Sequence, residues 1–172
     1  MNWRERIRDR EITVGVVGLG YVGLPLALAF SEAGFSVIGF DVDRDKVETI
    51  QSARSPIPDI SEERLSSAVR SGGLSVTSDM ARMSEVDTVS ICVPTPLRKS
   101  RDPDISYIVE ATQTISEHFE PPGIIVLEST TYPGTTEEIL VEQFEEVGWD
   151  LSEELHLSFS PERIDPSNEE FD

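Results

Sequence analysis

The stretch from Ile12 to Ala33, ITVGVVGLGYVGLPLALAFSEA, changes character at a glycine. Before it, Ile12–Gly18 is a short apolar run rich in valine, the pattern of a strand buried on both faces in a parallel sheet. After it, Tyr21–Ala33 is apolar and alanine-rich and predicts a helix that Gly34 stops. Pro25 falls in the first turn, whose N–H groups have no acceptor inside the helix. Between the two lies Gly18-Leu19-Gly20-Tyr21-Val22-Gly23, a G-x-G-x-x-G spacing. Alone such a spacing says little. Leaving a strand and opening a helix, it lets the chain turn sharply and present unpaired backbone N–H groups to a diphosphate. Gly18 permits the turn, Gly20 the approach of backbone to phosphate, and Gly23 the packing of helix on strand. Tyr21 and Val22 belong to the same cofactor-binding loop.

Working outward, Ser36–Phe40 is a second strand, and Asp41 follows it, 18 residues after Gly23. An acid at this distance accepts hydrogen bonds from an adenosine ribose. It also repels a 2′-phosphate: two unit charges ~4 Å apart interact by about 4 kcal/mol at an effective dielectric near 20. A discounted share of that gives roughly tenfold preference for NAD over NADP. Asp43 is expected to cap a helix over Asp43–Gln51. Lys46 is either a solvated residue of that helix or a group reaching the ribose or diphosphate.

Further on, Ser61–Ser71 reads as a helix ended by glycines, Leu74–Thr77 as a strand and Val86–Val93 as a strong strand. Pro94–Pro103 is a proline-punctuated loop, and Asp104 is placed to cap a helix reaching about Phe119. Ile124–Leu127 and Leu155–Phe159 complete six strands, with a helix over Thr135–Val147 between them. Strands joined by helices predict an α/β fold, a Rossmann-type, doubly wound, mainly parallel six-stranded sheet with helices on both faces.

With 172 residues the chain suits one domain. Its formal net charge of −19 excludes nucleic acid as a partner, because phosphates are repelled over the whole surface. Lys46 and Lys99 are the only lysines. Acid excess with so few lysines fits a protein kept soluble in concentrated salt, as in a halophile. No apolar run approaches the ~20 residues that span a bilayer, and the charged start MNWRERIRDRE carries no signal-peptide pattern. No membrane partner and a cytoplasmic location are therefore expected. Cys92, the single cysteine, reads as a buried strand residue. His118 and His156 are isolated, and no metal-ligating set is present in the pattern.

Five segments, GLGYVGLPLA (18–27), FDVDRDKV (40–47), CVPTP (92–96), ESTTYPGTT (128–136) and SPERIDP (160–166), together resemble the UDP-glucose/GDP-mannose dehydrogenase family. They stand in the family's order and span nearly the whole chain. The resemblance implies NAD as cofactor, with Asp41 and Lys46 on its adenosine ribose side and Thr95 beside it. It implies that Ser129 contacts the cofactor and that Thr130 helps hold the catalytic water or substrate. The family's lysine in that segment is Glu128 here, to which no catalytic role is given. Glu162 matches an acid that assists proton movement at the reacting sugar carbon. Arg163 is a candidate for the substrate's anionic part or for an acid of a further domain.

SPERIDP is similar to the branch acting on UDP-N-acetylhexosamines, UDP-N-acetylglucosamine above all. Pro166 stands where the UDP-glucose enzymes carry a second acid, whereas Ser167 departs from the branch's glycine. UDP-glucose and UDP-N-acetylmannosamine remain alternatives. The reaction implied takes the sugar C6 alcohol to a carboxylate with two NAD, using a cysteine that traps the aldehyde. The family's cysteine motif and its central helical dimerisation region are not found in this chain. Residues 1–172 are therefore expected to be the NAD-binding portion of a longer enzyme. That portion would be inactive alone and monomeric, within a full-length homodimer or higher oligomer whose C-terminal domain completes the UDP-sugar site. A noncatalytic NAD-sensing module is the alternative from another class.

Overall fold

The computed structural model describes residues 2–99 and 103–161. Its sheet has six strands: β1 (Thr13–Val17), β2 (Ser36–Phe40), β3 (Leu74–Thr77), β4 (Thr88–Ile91), β5 (Gly123–Leu127) and β6 (Leu155–Phe159). All five pairings are parallel, in the order β3-β2-β1-β4-β5-β6. This is the doubly wound dinucleotide topology, with its switch of direction between β1 and β4.

The strands are apolar on both sides because both sides are covered. Val14 and Val16 of β1 face a cluster built with Leu24, Ala27 and Leu28 of α2 (Gly23–Glu32) and Leu65 of α4 (Glu62–Ser71). Val47 and Ile50 of α3 (Arg44–Gln51) join it, on the inward spacing expected of that helix. Val17 of β1 turns the other way. It packs in a second cluster with Ile91, Ile125 and Leu127, under Ile108 and Ile115 of α5 (Ser106–His118) and Phe144 of α6 (Glu142–Glu146). The helix after β1 thus lies on one face of the sheet and the helix after β4 on the other.

Several boundaries differ from the sequence expectation. The strand expected over Val86–Val93 is confined to Thr88–Ile91. Asp87, just before it, keeps its backbone bonds to both neighbours, donating its N–H to the Thr13 carbonyl at 2.9 Å and accepting the Ile124 N–H at 3.3 Å, while its carboxylate accepts the Thr13 N–H and the Arg6 guanidinium, each at 2.8 Å. At the other end Pro94 has no N–H to give to the ladder. The helix expected from Tyr21 starts at Gly23, the two preceding residues forming a turn. The helix expected over Thr135–Val147 begins as a π-helical turn, Thr136–Val141, before α6. Two elements had no sequence signal. A 3₁₀ turn spans Met80–Glu85, capped by Asp79. Helix α1 (Trp3–Asp9) buries no residue and is tied down by the Arg6–Asp87 contact, which no local periodicity announces. No helix among the described residues is long and apolar enough to cross a membrane.

Candidate functional site

Every strand is parallel, so the loops after β1, β2, β4 and β5 gather at one edge. The glycine loop sits at the switch between β1 and β4. Gly18 has φ +91°, a conformation open to glycine, and a Cβ there would come within 2.7 Å of the Cys92 carbonyl oxygen. A Cβ on Gly23 would stand 1.8 Å from the Gly18 carbonyl oxygen, so this glycine lets α2 close on the turn. Gly20 is different. A Cβ there meets nothing within 4 Å, and its φ is not in the left-handed region. Neither packing nor backbone geometry of the described residues requires glycine at this point. The bare backbone borders open space at the start of α2, where a diphosphate would lie.

In the first turn of α2 the Leu24 and Leu26 N–H groups are given to the Gly20 and Val22 carbonyls and Pro25 has none, so donors for such a ligand come from the turn that opens the helix, Tyr21 to Gly23. Its N-cap, Val22, makes no side-chain capping bond, and its first turn has no acidic residue. By contrast α3 and α4 are capped by Asp43 and Ser61. The positive end of the helix dipole is therefore left for an external anion.

The loop is anchored from two directions. Leu19 is fully buried, and its side chain fills the space over Gly39 of β2 that a Cβ would otherwise take. The Leu19 N–H donates to Asp41 Oδ2 at 2.8 Å. Asp41 itself is only 6% exposed. Its Oδ2 also accepts from Lys46 Nζ at 2.7 Å, and its Oδ1 accepts the Asp43 N–H at 2.9 Å. A carboxylate has about four acceptor positions. Three are taken, and one remains on Oδ1 for a hydroxyl such as that of a ribose. Asp43 caps α3 through the N–H groups of Asp45 and Lys46, as expected. Lys46, left open between two roles by the sequence, is drawn back onto Asp41.

The segment after β4 runs Cys92-Val93-Pro94-Thr95-Pro96. Cys92 is buried at the foot of the glycine turn, and its N–H donates to the Val17 carbonyl at 2.8 Å. Thr95 is half-buried between two prolines. Beyond it the Asp104 N–H donates to the Pro96 carbonyl at 2.8 Å, and Leu97 and Pro103 form an antiparallel bridge. Asp104 closes this excursion with its side chain as well. Its Oδ1 accepts from Arg98 at 2.8 Å and from the Ser106 N–H that opens α5.

The Arg98 guanidinium, helped by the Ser106 N–H, holds the Asp104 carboxyl down at about 2. The folded value lies below the ordinary 3.8, so the stabilisation is complete above about pH 4 and vanishes as pH falls through 2. An NMR titration of the Asp104 carboxyl carbon is expected to place its midpoint near 2; a midpoint near 3.8 would mean the Arg98 contact is absent in solution.

The segment after β5 separates two hydroxyls that are adjacent in sequence. Ser129 is buried, and its Oγ lies 2.7 Å from the Val93 carbonyl and 3.2 Å from that of Ile91, to which it donates. Thr130 is exposed at the sheet edge. Thr131 and the buried Thr135 share a 2.7 Å hydroxyl contact, and Thr135 reaches back to the Tyr132 carbonyl at 2.8 Å. Ser160 is fixed to the end of β5 by a 3.0 Å bond to the Leu127 carbonyl. Glu162 and Arg163, the expected proton-transfer acid and substrate cation, lie outside the described residues. No group of three or more His, Cys, Asp or Glu side chains suited to a metal ion occurs among the described residues. Sequence reasoning had no signal for the backbone-holding roles of Asp41 and Ser129, which depend on neighbours 22 and 36 residues away.

A glycine bordering open space, an uncapped helix start and a residual carboxylate acceptor at the adjacent strand tip fit the diphosphate and ribose of a dinucleotide. Comparison with known proteins agrees. Residues 12–172 match the model of the UDP-glucose/GDP-mannose dehydrogenase family, NAD binding domain. The chain is 33% identical over 159 residues to the UDP-N-acetyl-D-glucosamine 6-dehydrogenase of Salmonella typhi, covering 92% of this chain and 36% of that protein. Among solved structures, the UDP-D-ManNAc dehydrogenase of Pyrococcus horikoshii superposes with a TM-score of 0.83 at 33% identity, over 89% of this chain and 37% of that one. A ternary complex of GDP-mannose dehydrogenase from Pseudomonas aeruginosa gives 0.81 at 32% identity, over 88% and 36%. The chain thus spans a little over a third of the length of the relatives it matches. Fold, glycine cradle and sequence match together establish that this chain belongs to the UDP-glucose/GDP-mannose dehydrogenase family and carries its NAD-binding domain.

Proposed function

We propose that this chain is the NAD-binding portion of a longer dehydrogenase that oxidises the C6 alcohol of a UDP-N-acetylhexosamine, UDP-N-acetylglucosamine first, to the uronate. Two NAD are consumed, and bound NAD supplies the hydride acceptor. The observation that carries the cofactor half is the open space at Gly20 beside the last acceptor position of Asp41. The substrate half is supported by SPERIDP and by the Salmonella relative's named activity. A UDP-N-acetylmannosamine substrate is the second reading, favoured by the Pyrococcus relative.

In this assignment Gly18, Gly20, Tyr21, Val22 and Gly23 hold the diphosphate. Asp41, with Lys46 paired to it, holds the adenosine ribose over β2. A dinucleotide so placed can extend only across the switch point, so its nicotinamide half lies over the ends of β4 and β5. Thr95 and the Ser129–Thr130 segment are there. Thr130 serves the substrate side with Glu162 as the proton-transfer acid and Arg163 as an anion partner. The cysteine that completes the chemistry is supplied by the rest of the protein, which also assembles the dimer.

Calorimetric titration of the 172-residue chain tests the cofactor half. NAD is expected to bind and NADP to bind at least about tenfold more weakly, because a 2′-phosphate would face a buried carboxylate. Equal affinities would defeat the assignment of Asp41. The substrate half is tested by following NADH production by the full-length protein with UDP-GlcNAc, UDP-ManNAc and UDP-glucose. Turnover of UDP-glucose alone would remove the hexosamine assignment. Absence of turnover with any of them would favour an NAD sensor. Uronate formation by the isolated chain would contradict its incompleteness.

A further inference from the structure

Ser129 spends its hydroxyl proton within the protein. Past the last β4–β5 ladder pair, Ile91 with Leu127, the Ile91 carbonyl accepts two consecutive N–H groups, from Glu128 at 3.0 Å and Ser129 at 3.1 Å. The Ser129 hydroxyl then reaches 2.7 Å to the Val93 carbonyl, with the serine only 5% exposed. Val93 is followed by Pro94-Thr95-Pro96, and neither proline has an N–H with which to join a neighbour. The next backbone bond along the chain is the one from the Asp104 N–H to the Pro96 carbonyl. Thr95 is therefore carried on a short, stiff span held at two points, by Ser129 before it and by Asp104 after it. The Asp104 point is charge-reinforced by Arg98. The Ser129 point rests on a neutral hydroxyl.

We propose that Ser129 is a positioning residue: through the Val93 carbonyl it sets the height of the Thr95 loop against the nicotinamide half of NAD, instead of touching the cofactor. The role rests on the cofactor placement proposed above. It also links two sides of the site, since Ser129 is bonded to Thr130 while its hydroxyl governs the loop after β4.

The test compares S129A, T95A and the S129A/T95A double variant of the 172-residue chain by calorimetry with NAD and with ADP. ADP spans only the diphosphate and adenosine half. S129A is expected to weaken NAD roughly tenfold, the scale of one lost hydrogen bond to a buried acceptor, and to change ADP affinity less than twofold. In the T95A background the S129A change is expected to shrink to under threefold, because both act on one contact. Additive effects of S129A and T95A would mean that Ser129 touches NAD directly, and would overturn the proposal. Equal loss of NAD and ADP, or unchanged NAD binding by S129A, would overturn it too. Failure of the parent chain to bind NAD or ADP would instead refute the cofactor placement itself. If S129A is too unstable to titrate, S129T, which keeps the hydroxyl, and S129C, a weaker donor, take its place. The proposal then requires NAD affinity to fall from serine to cysteine and to hold within threefold in S129T, with ADP constant; cysteine equal to serine would overturn it.

Discussion

Replacing Gly20 by alanine is expected to remove NAD binding from a chain that remains as stable as the parent, whereas replacing Gly23 by alanine is expected to damage the fold. The two glycines stand three residues apart in one motif, and their surroundings are opposite. At Gly20 the added methyl meets no protein atom within 4 Å and the backbone is not left-handed. Its thermodynamic cost is within about 0.5 kcal/mol, or slightly favourable through a less flexible unfolded chain. In the proposed cofactor placement the same methyl occupies the space through which the diphosphate reaches the amides of the turn that opens α2. Losing two charge-assisted hydrogen bonds, each worth about 1.5–3 kcal/mol, lowers affinity by roughly a hundredfold or more. At Gly23 the methyl would sit 1.8 Å from the Gly18 carbonyl oxygen, a backbone atom that cannot swing aside. Helix α2 must then lift from β1 and break its packing through Leu24, Ala27 and Leu28. Overpacking of that kind costs about 3 kcal/mol, which lowers the melting temperature by roughly 6–12 °C for a domain of this size. Thermal unfolding and NAD calorimetry on both variants separate the roles. A G20A chain that binds NAD like the parent would show that the diphosphate does not lie against this turn.

That contrast also marks what the sequence can and cannot tell. Three glycines at the right spacing between a strand and a helix identify the turn, and strands joined by helices identify the parallel sheet, because both signals are local. The turn expected at Gly18 and the helix-on-strand packing expected at Gly23 agree with the surroundings found for each. What was not legible is long-range. The spacing marks Asp41 as an acceptor for a ribose, yet it also accepts from Lys46, five residues on, and from the Leu19 N–H, a bond possible only when β1 and β2 are side by side. The family resemblance places both Ser129 and Thr130 at the site, as neighbours in one segment. Past the end of β5 a bend turns the Ser129 hydroxyl onto the Val93 carbonyl and leaves Thr130 exposed. Helix α1 lacks a local signal for the same reason: its anchor, Asp87, is 81 residues from Arg6. The tail that carries Glu162 and Arg163 is read from sequence alone.

Asp41 supplies the second large effect. In D41N the side chain keeps one carbonyl oxygen and gains an NH2 donor. Three donors now converge on Asp41: the Leu19 N–H, the Asp43 N–H and the Lys46 ammonium. An amide can satisfy those on one side only, and its NH2 must face a donor on the other. If the oxygen stays with Leu19 and Lys46, the Asp43 N–H is lost and α3 loses the fixed approach of its cap. If it turns to Asp43, the Leu19 N–H is stranded in a buried position, at a cost of about 1–3 kcal/mol. Lys46 is about a quarter exposed and can turn to water, so it adds little to that loss. Removing the lysine instead, in K46A, takes the counter-charge from a carboxylate that is only 6% exposed and is expected to cost about 1–3 kcal/mol, the two backbone N–H groups still holding that carboxylate. Cofactor binding suffers twice in D41N, because the ribose acceptor is weakened and the loop that offers its amides to the diphosphate is loosened. NAD affinity is expected to fall by roughly a hundredfold, the sum of about two hydrogen bonds. NADP affinity should fall far less, since the charge that repelled the 2′-phosphate is gone. The NAD-to-NADP preference therefore narrows toward unity while denaturant-induced unfolding shifts to lower concentration. A variant that keeps the parent's preference, at unchanged stability, would mean that the Asp41 carboxylate neither holds the glycine turn nor meets the ribose.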